Sequence, residues 1–334
     1  MSGGAAVLCG LGTWLPPHAV TNDDLARELD TSDEWIRSRT GIGVRHVADP
    51  ATATSDLAVE AGRRALKSAG CEAVDAVLLA TTTPDHPCPA TAPLVADRLG
   101  LGTVAAFDVG AVCTGFLYAL AAGAGLIAAG TASRVLVIGA DMYSSILDPA
   151  DRSTRAIFGD GAGAVVLRAG YADEPGVLTA PVLGSDGSGS ELIIVRAGGS
   201  REPLHSLTRG QGDPYFRMQG QSVFRNAVER MAEASLTAAR RAGWSAGEID
   251  RLVAHQANLR ILHAVADRMR LPRQRCPVHL DQVGNTAAAS VPLALAHAVT
   301  SGCLEPGHRT VLTAFGGGLT WGACAVRWPA ITPA

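Results

Sequence analysis

Two periods of apolar residues run through this chain. Short apolar runs at residues 74–80 (VDAVLLA), 104–109 (VAAFDV) and 249–254 (IDRLVA) predict buried β-strands. Residues 114–130 (TGFLYALAAGAGLIAAG) are apolar all round at helical length, which predicts a central helix. Strand-like and helix-like segments alternate, and that is the pattern of α/β layers. There is also an echo: residues 65–70 (ALKSAG) followed by 74–80 return as 238–243 (AARRAG) followed by 249–254, each copy a helix with a glycine cap, a turn and a strand. The echo divides the chain into two similar halves, 1–172 and 173–334. They meet in the Gly/Pro/acidic stretch at 168–176 (RAGYADEPG), the composition of a connector.

Residues 184–218 break both periods and are rich in Gly, Ser and Arg, which predicts a lid or a disordered segment. The glycines of residues 159–164 (GDGAGA) are expected in tight turns. They do not form GxGxxG after a strand, and the chain has no GxxxxGK[ST].

Composition narrows the class. With 47% hydrophobic and 18% charged residues in 334, the chain has ample material for a globular core. A net charge of −3 gives no reason to expect nucleic acid. Lys67 is the one lysine, in a helix-like stretch beside Arg63 and Arg64, so Schiff-base and pyridoxal chemistry lack a candidate. Seven cysteines, an odd number without CxxC or Cys/His ligand spacing, argue against a disulfide framework and a zinc site. No secretory leader or membrane span is expected, which points to the cytoplasm.

Four segments carry more chemistry than packing requires. Cys113 falls where the 104–109 strand enters the 114–130 helix; a thiol at a helix N-terminus meets unpaired amides and the positive end of the dipole, so a lowered thiol pKa and a nucleophile are expected there. His255 stands at the C-terminal edge of a strand, where ligands gather in open α/β sheets. Asn285, in residues 283–290 (VGNTAAAS), is placed at or near the N-cap of a small-residue helix. Residues 314–322 (AFGGGLTWG) join two apolar strands through three glycines, where bare amides can approach a substrate.

Cys113 with residues 255–258 (HQAN), 283–290 and 314–322 resembles the β-ketoacyl-acyl-carrier-protein synthase III family of the thiolase superfamily. Residues 31–42 (TSDEWIRSRTGI), 148–153 (DPADRS) and 158–164 (FGDGAGA) extend the likeness over nearly the whole chain. It implies two pseudo-symmetric five-stranded βαβαβαββ halves in a layered α-β-α-β-α core, and a homodimer. It implies that Cys113 takes an acyl group from acyl-CoA, a substrate rather than a cofactor, with the amides of Cys113 and Gly317 as oxyanion hole. His255 and Asn285 then stabilise the enolate formed as malonyl-carrier protein loses carbon dioxide, without a metal. Trp35 and Arg152 are implied to sandwich the adenine of CoA, with Arg39, Thr40 and Asn258 along its tunnel. Cys88, Phe158, Phe224 and Phe315 are assigned to the acyl pocket, and Arg225, Arg260 and Arg268 to carrier-protein docking.

Two departures stand out. Asp267 replaces a basic residue common on the family's docking face. Cys88 stands where short-chain members carry a phenylalanine that closes the partner subunit's pocket, so an acyl primer larger than acetyl is expected. Two other readings remain at this level: acyl transfer to a hydroxyl or carrier thiol without decarboxylation, and a non-catalytic partner that binds acyl-CoA or the carrier protein. A hydroxymethylglutaryl-CoA synthase is disfavoured, because its glutamate base has no counterpart in residues 80–84 (ATTTP).

Overall fold

The computed structural model describes residues 4–179, 181–204 and 212–334. Nine strands form the two main sheets: β1 (Ala5–Trp14), β2 (Ala76–Ala80), β3 (Ala105–Val109), β4 (Arg134–Asp141), β5 (Gly161–Gly170), β6 (Val182–Ser185), β7 (Arg251–Ala254), β8 (Arg309–Gly316) and β9 (Thr320–Arg327). The first sheet has the order β1-β5-β4-β2-β3, with β2 parallel to both β3 and β4 and the remaining pairs antiparallel. The second has the order β7-β8-β9-β6, with β7 parallel to β8.

Five long helices complete the layers: α1 (Thr54–Ala69), α2 (Gly115–Ala128), α3 (Gly220–Arg241), α4 (Leu259–Arg268) and α5 (Ser290–Thr300). The apolar helix α2 and its counterpart α5 pack together between the sheets, where Phe116, Leu117 and Leu120 meet Val291, Ala294 and Leu295 in a core shared by both halves. The amphipathic helix α1 covers the outer face of the first sheet; α3 and α4 cover that of the second. The result is the α-β-α-β-α order.

The echo is structural as well. Asp75 donates its amide to the Arg134 carbonyl at 2.9 Å and accepts the Arg134 amide on its carboxylate at 2.8 Å. Asp250 repeats both bonds with Arg309, at 2.9 and 2.8 Å. Both helices that precede these aspartates finish near a glycine in the left-handed region, Gly70 (φ 60°) and Gly243 (φ 77°).

Three expectations need correction. Residues 105–109 form an edge strand with no fully buried residue and with Phe107 39% accessible, where a buried strand was expected. Gly161 and Gly163 lie inside β5 instead of in turns. Their absent side chains admit the central helix, since a Cβ on Gly163 would stand 2.7 Å from Pro292. Among the described residues the second sheet has four strands where five were expected. Residues 276–279 follow α4 without joining the ladder, and Pro277 has no amide to give. The Gln256 side chain serves that segment instead: it donates to the Pro277 carbonyl at 3.3 Å and accepts the amides of His279 and Leu280 at 2.9 and 3.3 Å.

The irregular stretch 184–218 is partly ordered. A 3-10 turn (Gly187–Leu192) leads into a small antiparallel pair, Ile193–Val195 with Phe216–Met218. Residues 205–211 of that stretch lie outside the described residues.

Candidate active site

Each central helix is entered through a tight 3-10 turn that opens on a residue in the left-handed region: Val112 (φ 48°) before α2 and Ala287 (φ 47°) before α5. Neither is glycine, and for a β-branched valine the conformation is costly, on the order of 1–3 kcal/mol. The first turn carries Cys113; the second follows Asn285. The glycine hairpin between β8 and β9 closes over the Cys113 turn. Thr114 donates its hydroxyl to the Thr320 carbonyl at 3.1 Å, and Thr320 donates its own to the Ala111 carbonyl at 3.2 Å. Gly316 comes so near that a Cβ there would stand 2.9 Å from the Cys113 amide nitrogen. A Cβ on Gly317 would stand 3.3 Å from the Val112 side chain, so the next residue of the hairpin also lies against the turn that carries Cys113.

Cys113, His255 and Asn285 line one chamber of about 150 Å³, walled by Ile193, Phe216, Met218, Phe158 and Phe315. The Asn285 amide is oriented by its own turn. Its Oδ1 accepts the Ala287 amide at 2.9 Å, which leaves Nδ2 as the group that can donate to a ligand. Its backbone bonds across to the first half, donating to the Ile157 carbonyl at 2.9 Å and accepting the Gly159 amide at 3.0 Å. His255 follows β7, donates its amide to Thr313 at 2.8 Å, and has Nδ1 2.5 Å from the Ser290 hydroxyl. Burial holds its imidazole down to about 3, so it is neutral at physiological pH.

The Cys113 thiol departs from expectation. Burial, reinforced by the negative charge of Asp141, pushes its pKa up instead of down. The helix end was legible locally, but the enclosure that opposes it comes from tertiary packing. Asp141 is itself fully buried and raised to about 7 by burial, while it accepts bonds from the amides of Thr82 (2.6 Å) and Ala288 (2.9 Å).

Tyr143 was not singled out by the sequence. It is fully buried, stacks on Phe158 at 4.6 Å between centroids, and meets Phe216 edge-on at 5.3 Å beside Cys113. Among the described residues its hydroxyl makes no hydrogen bond of ordinary geometry, and it faces the Cys113 thiol and the Thr82 hydroxyl.

The remaining predicted residues are dispersed around the chamber. Arg39, Asn258, Arg225, Arg260 and Phe224 surround an outer cleft of about 450 Å³. Phe224 therefore belongs to that cleft and not to the acyl chamber; the Arg260 guanidinium lies 5.9 Å from its ring. Asn258 lines both spaces and caps α4, accepting the Ile261 amide at 2.9 Å. Trp35 has two guanidinium groups over its ring, Arg39 at 4.9 Å and Arg152 at 5.1 Å from the centroid. Thr40 is buried, and its hydroxyl is spent on the Ile36 carbonyl (2.6 Å) and the Ile42 amide (3.0 Å) instead of turning to the cleft. Cys88 is exposed on the 84–91 loop and does not line this chain's chamber. Arg268 approaches Glu229 at 3.7 Å, and the departure at Asp267 is answered locally by Arg273 at 2.6 Å.

Two duplicated α/β halves, with a cysteine from one and a histidine and an asparagine from the other meeting at their joint, define a thiolase-like enzyme fold. Residues 107–187 match the family described as 3-oxoacyl-[acyl-carrier-protein (ACP)] synthase III, and residues 239–328 match its C-terminal region. The β-ketoacyl-[acyl-carrier-protein] synthase III 5 of Streptomyces coelicolor is 59% identical over 98% of this chain and 99% of its own length. The solved 3-oxoacyl-(acyl carrier protein) synthase III of Pseudomonas aeruginosa PAO1 superposes with a TM-score of 0.92 at 53% identity, covering 98% of this chain and 100% of that one. The priming β-ketosynthase of the R1128 polyketide pathway gives 0.91 at 34% identity, covering 99% and 98%. The chain belongs to the β-ketoacyl-acyl-carrier-protein synthase III family.

Proposed function

We propose that this enzyme starts an acyl chain by decarboxylative condensation, and the shared chamber of Cys113, His255 and Asn285 carries that reading. Cys113 Sγ attacks the thioester carbon of an acyl-CoA; the new C–S bond forms as the old one breaks, and CoA leaves as the thiol, with the proton Cys113 has lost. The amides of Cys113 and Gly317 receive the oxyanion of that step. Malonyl-carrier protein then enters along the arginine cleft. As its carboxyl C–C bond breaks, the electron pair passes to the α-carbon, and the enolate oxygen accepts bonds from His255 and the Asn285 Nδ2. The carbanion attacks the acyl-Cys113 carbon, a C–C bond forms, and Cys113 leaves as thiolate and regains a proton. Carbon dioxide, CoA and a β-ketoacyl-carrier protein are the products. Loss of carbon dioxide supplies the carbanion, so a neutral histidine suffices and neither metal nor redox cofactor is needed. CoA's adenine stacks between Trp35 and Arg152 once the guanidinium, which lies 5.1 Å from the ring here, draws back to admit it.

The working form is a homodimer joined along the exposed strand β3, whose Phe107 and neighbouring Leu94 are 39% and 43% accessible in the single chain. The dimer works in the cytoplasm, in keeping with seven free cysteines. Cys88, carried to the partner's chamber, leaves room for a primer larger than acetyl. Among the described residues no helix is long and apolar enough to cross a membrane.

A two-stage assay tests the reading: load the protein with a panel of acyl-CoAs, then add malonyl-carrier protein and follow carbon dioxide and product mass. Carbon dioxide release with a β-ketoacyl product, fastest for a primer larger than acetyl, is expected. Acylation of Cys113 without carbon dioxide release across the panel would replace condensation by simple acyl transfer.

A further inference from the structure

The chamber wall behind His255 contains one more polar side chain, Ser290, the first residue of α5, and it is 1% exposed. Its hydroxyl lies 2.5 Å from His255 Nδ1 and 3.3 Å from the Gln256 backbone nitrogen. Only one arrangement at this oxygen leaves no buried proton without a partner: were Oγ to accept from both neighbours, its own hydrogen would be stranded. An amide N–H only donates, so the Gln256 amide takes a lone pair on Oγ. The hydroxyl keeps a single hydrogen, and among the described residues the one other polar atom against it is His255 Nδ1. With Ser290 donating, Nδ1 must accept. In a neutral imidazole the proton then resides on Nε2.

We propose that Ser290 is a positioning residue that locks His255 in the Nε2–H tautomer and so makes it a hydrogen-bond donor toward the chamber. The proposal rests on the reading of His255 as enolate donor given above. In the other tautomer Nε2 would carry a lone pair and repel the enolate oxygen. Ser290 touches neither substrate nor Cys113 in this arrangement; it acts through His255. The device joins two separate elements of the second half. The strand end that holds the Gln256 amide and the helix start that holds Ser290 are 34 residues apart. Both are fixed independently, because His255 bonds Thr313 through its backbone and α5 is buried along its length.

Two measurements test this, and they separate its failure from failure of the condensation reading. The first is 15N NMR of the unmodified dimeric enzyme labelled at histidine, near pH 7. A protonated Nε2 and an unprotonated Nδ1 at His255, assigned by loss of the signal in His255→Ala, are expected whatever the reaction. A protonated Nδ1 overturns the proposal. The second splits the half-reactions in Ser290→Ala and Ser290→Thr. Decarboxylation of malonyl-carrier protein by the acyl-loaded Ser290→Ala enzyme should fall about tenfold or more. Acylation of Cys113 should stay within about twofold, and Ser290→Thr, which keeps the hydroxyl, should recover most of the loss. Equal loss in both half-reactions, or full decarboxylation in Ser290→Ala, overturns the proposal. An unmodified enzyme that releases no carbon dioxide defeats the condensation reading and leaves the NMR result to decide on the tautomer.

Discussion

Asp141, the last residue of β4, accepts the backbone amide of Ala288 at 2.9 Å, so the strand behind the nucleophile is tied to the turn that follows Asn285. Its second oxygen takes the Thr82 amide at 2.6 Å. One buried carboxylate thus aligns the cysteine of the first half with the asparagine of the second. It also bears on the chemistry, because its charge adds to burial in raising the Cys113 thiol.

The resting thiol is therefore expected to react as a thiol of raised pKa. Alkylation of Cys113 by iodoacetamide should accelerate roughly tenfold per pH unit up to at least about pH 9, since only the thiolate attacks. Asp141→Asn, which removes the charge, should shift that profile toward lower pH. A plateau below about pH 8 in the unmodified enzyme would show that the helix terminus outweighs burial.

Asn285→Asp separates the two half-reactions. The new carboxylate can still accept the Ala287 amide, but it puts an acceptor where Nδ2 donated. Condensation should fall by about a hundredfold or more, the usual loss when one oxyanion donor is removed, while acylation of Cys113 persists. Stopped assays of acyl-enzyme by mass and of carbon dioxide by isotope release measure the two steps separately.

His279 makes the fold sensitive to acid. It is 9% exposed, stacks on His297 at 4.3 Å, and is lowered to about 4 by burial, then by the charges of His297 and His46. Between its unfolded value near 6.5 and about 4, the unfolded chain binds the extra proton, so stability falls as pH drops through that window and is fully present above it. His279→Phe keeps the stacked ring and removes the titration. Urea unfolding should find the variant favoured by about 2 kcal/mol more at pH 5 than at pH 7.5, relative to the parent. A constant difference between the two enzymes would contradict the assignment.

Phe107→Glu places a charge on the exposed edge strand. If two copies join along β3, sedimentation should show a monomer for the variant and a dimer for the parent. An unchanged dimer would place the interface elsewhere.

Much of this architecture was legible, and the places where it was not have physical causes. The helix at Gly115–Ala128 showed itself because a helix wedged between two sheets is apolar on nearly every face. Residues 105–109 carry the same apolar signal whether they are covered by their own chain or by another, so composition made an edge strand look like a core strand. The glycines of β5 read as turns because the reason for them, the approach of Pro292, lies about 130 residues away. Cys113, His255 and Asn285 stood out as polar groups in apolar settings. Tyr143 and Ser290 did not, since each acquires its meaning only from a neighbour that folding brings to it.

The Gln256 side chain has a consequence at the level of assembly. A duplicated fold offers two like edges, and if both were open, each molecule would pair with two others and polymerise without limit. Here one edge presents the open strand β3, while beside β7 the segment after α4 has the Pro277 carbonyl and the amides of His279 and Leu280 taken up by the Gln256 side chain. If two copies pair through the open edge, the asymmetry between the two halves lets the assembly close as a pair where perfect repetition would extend it into a filament.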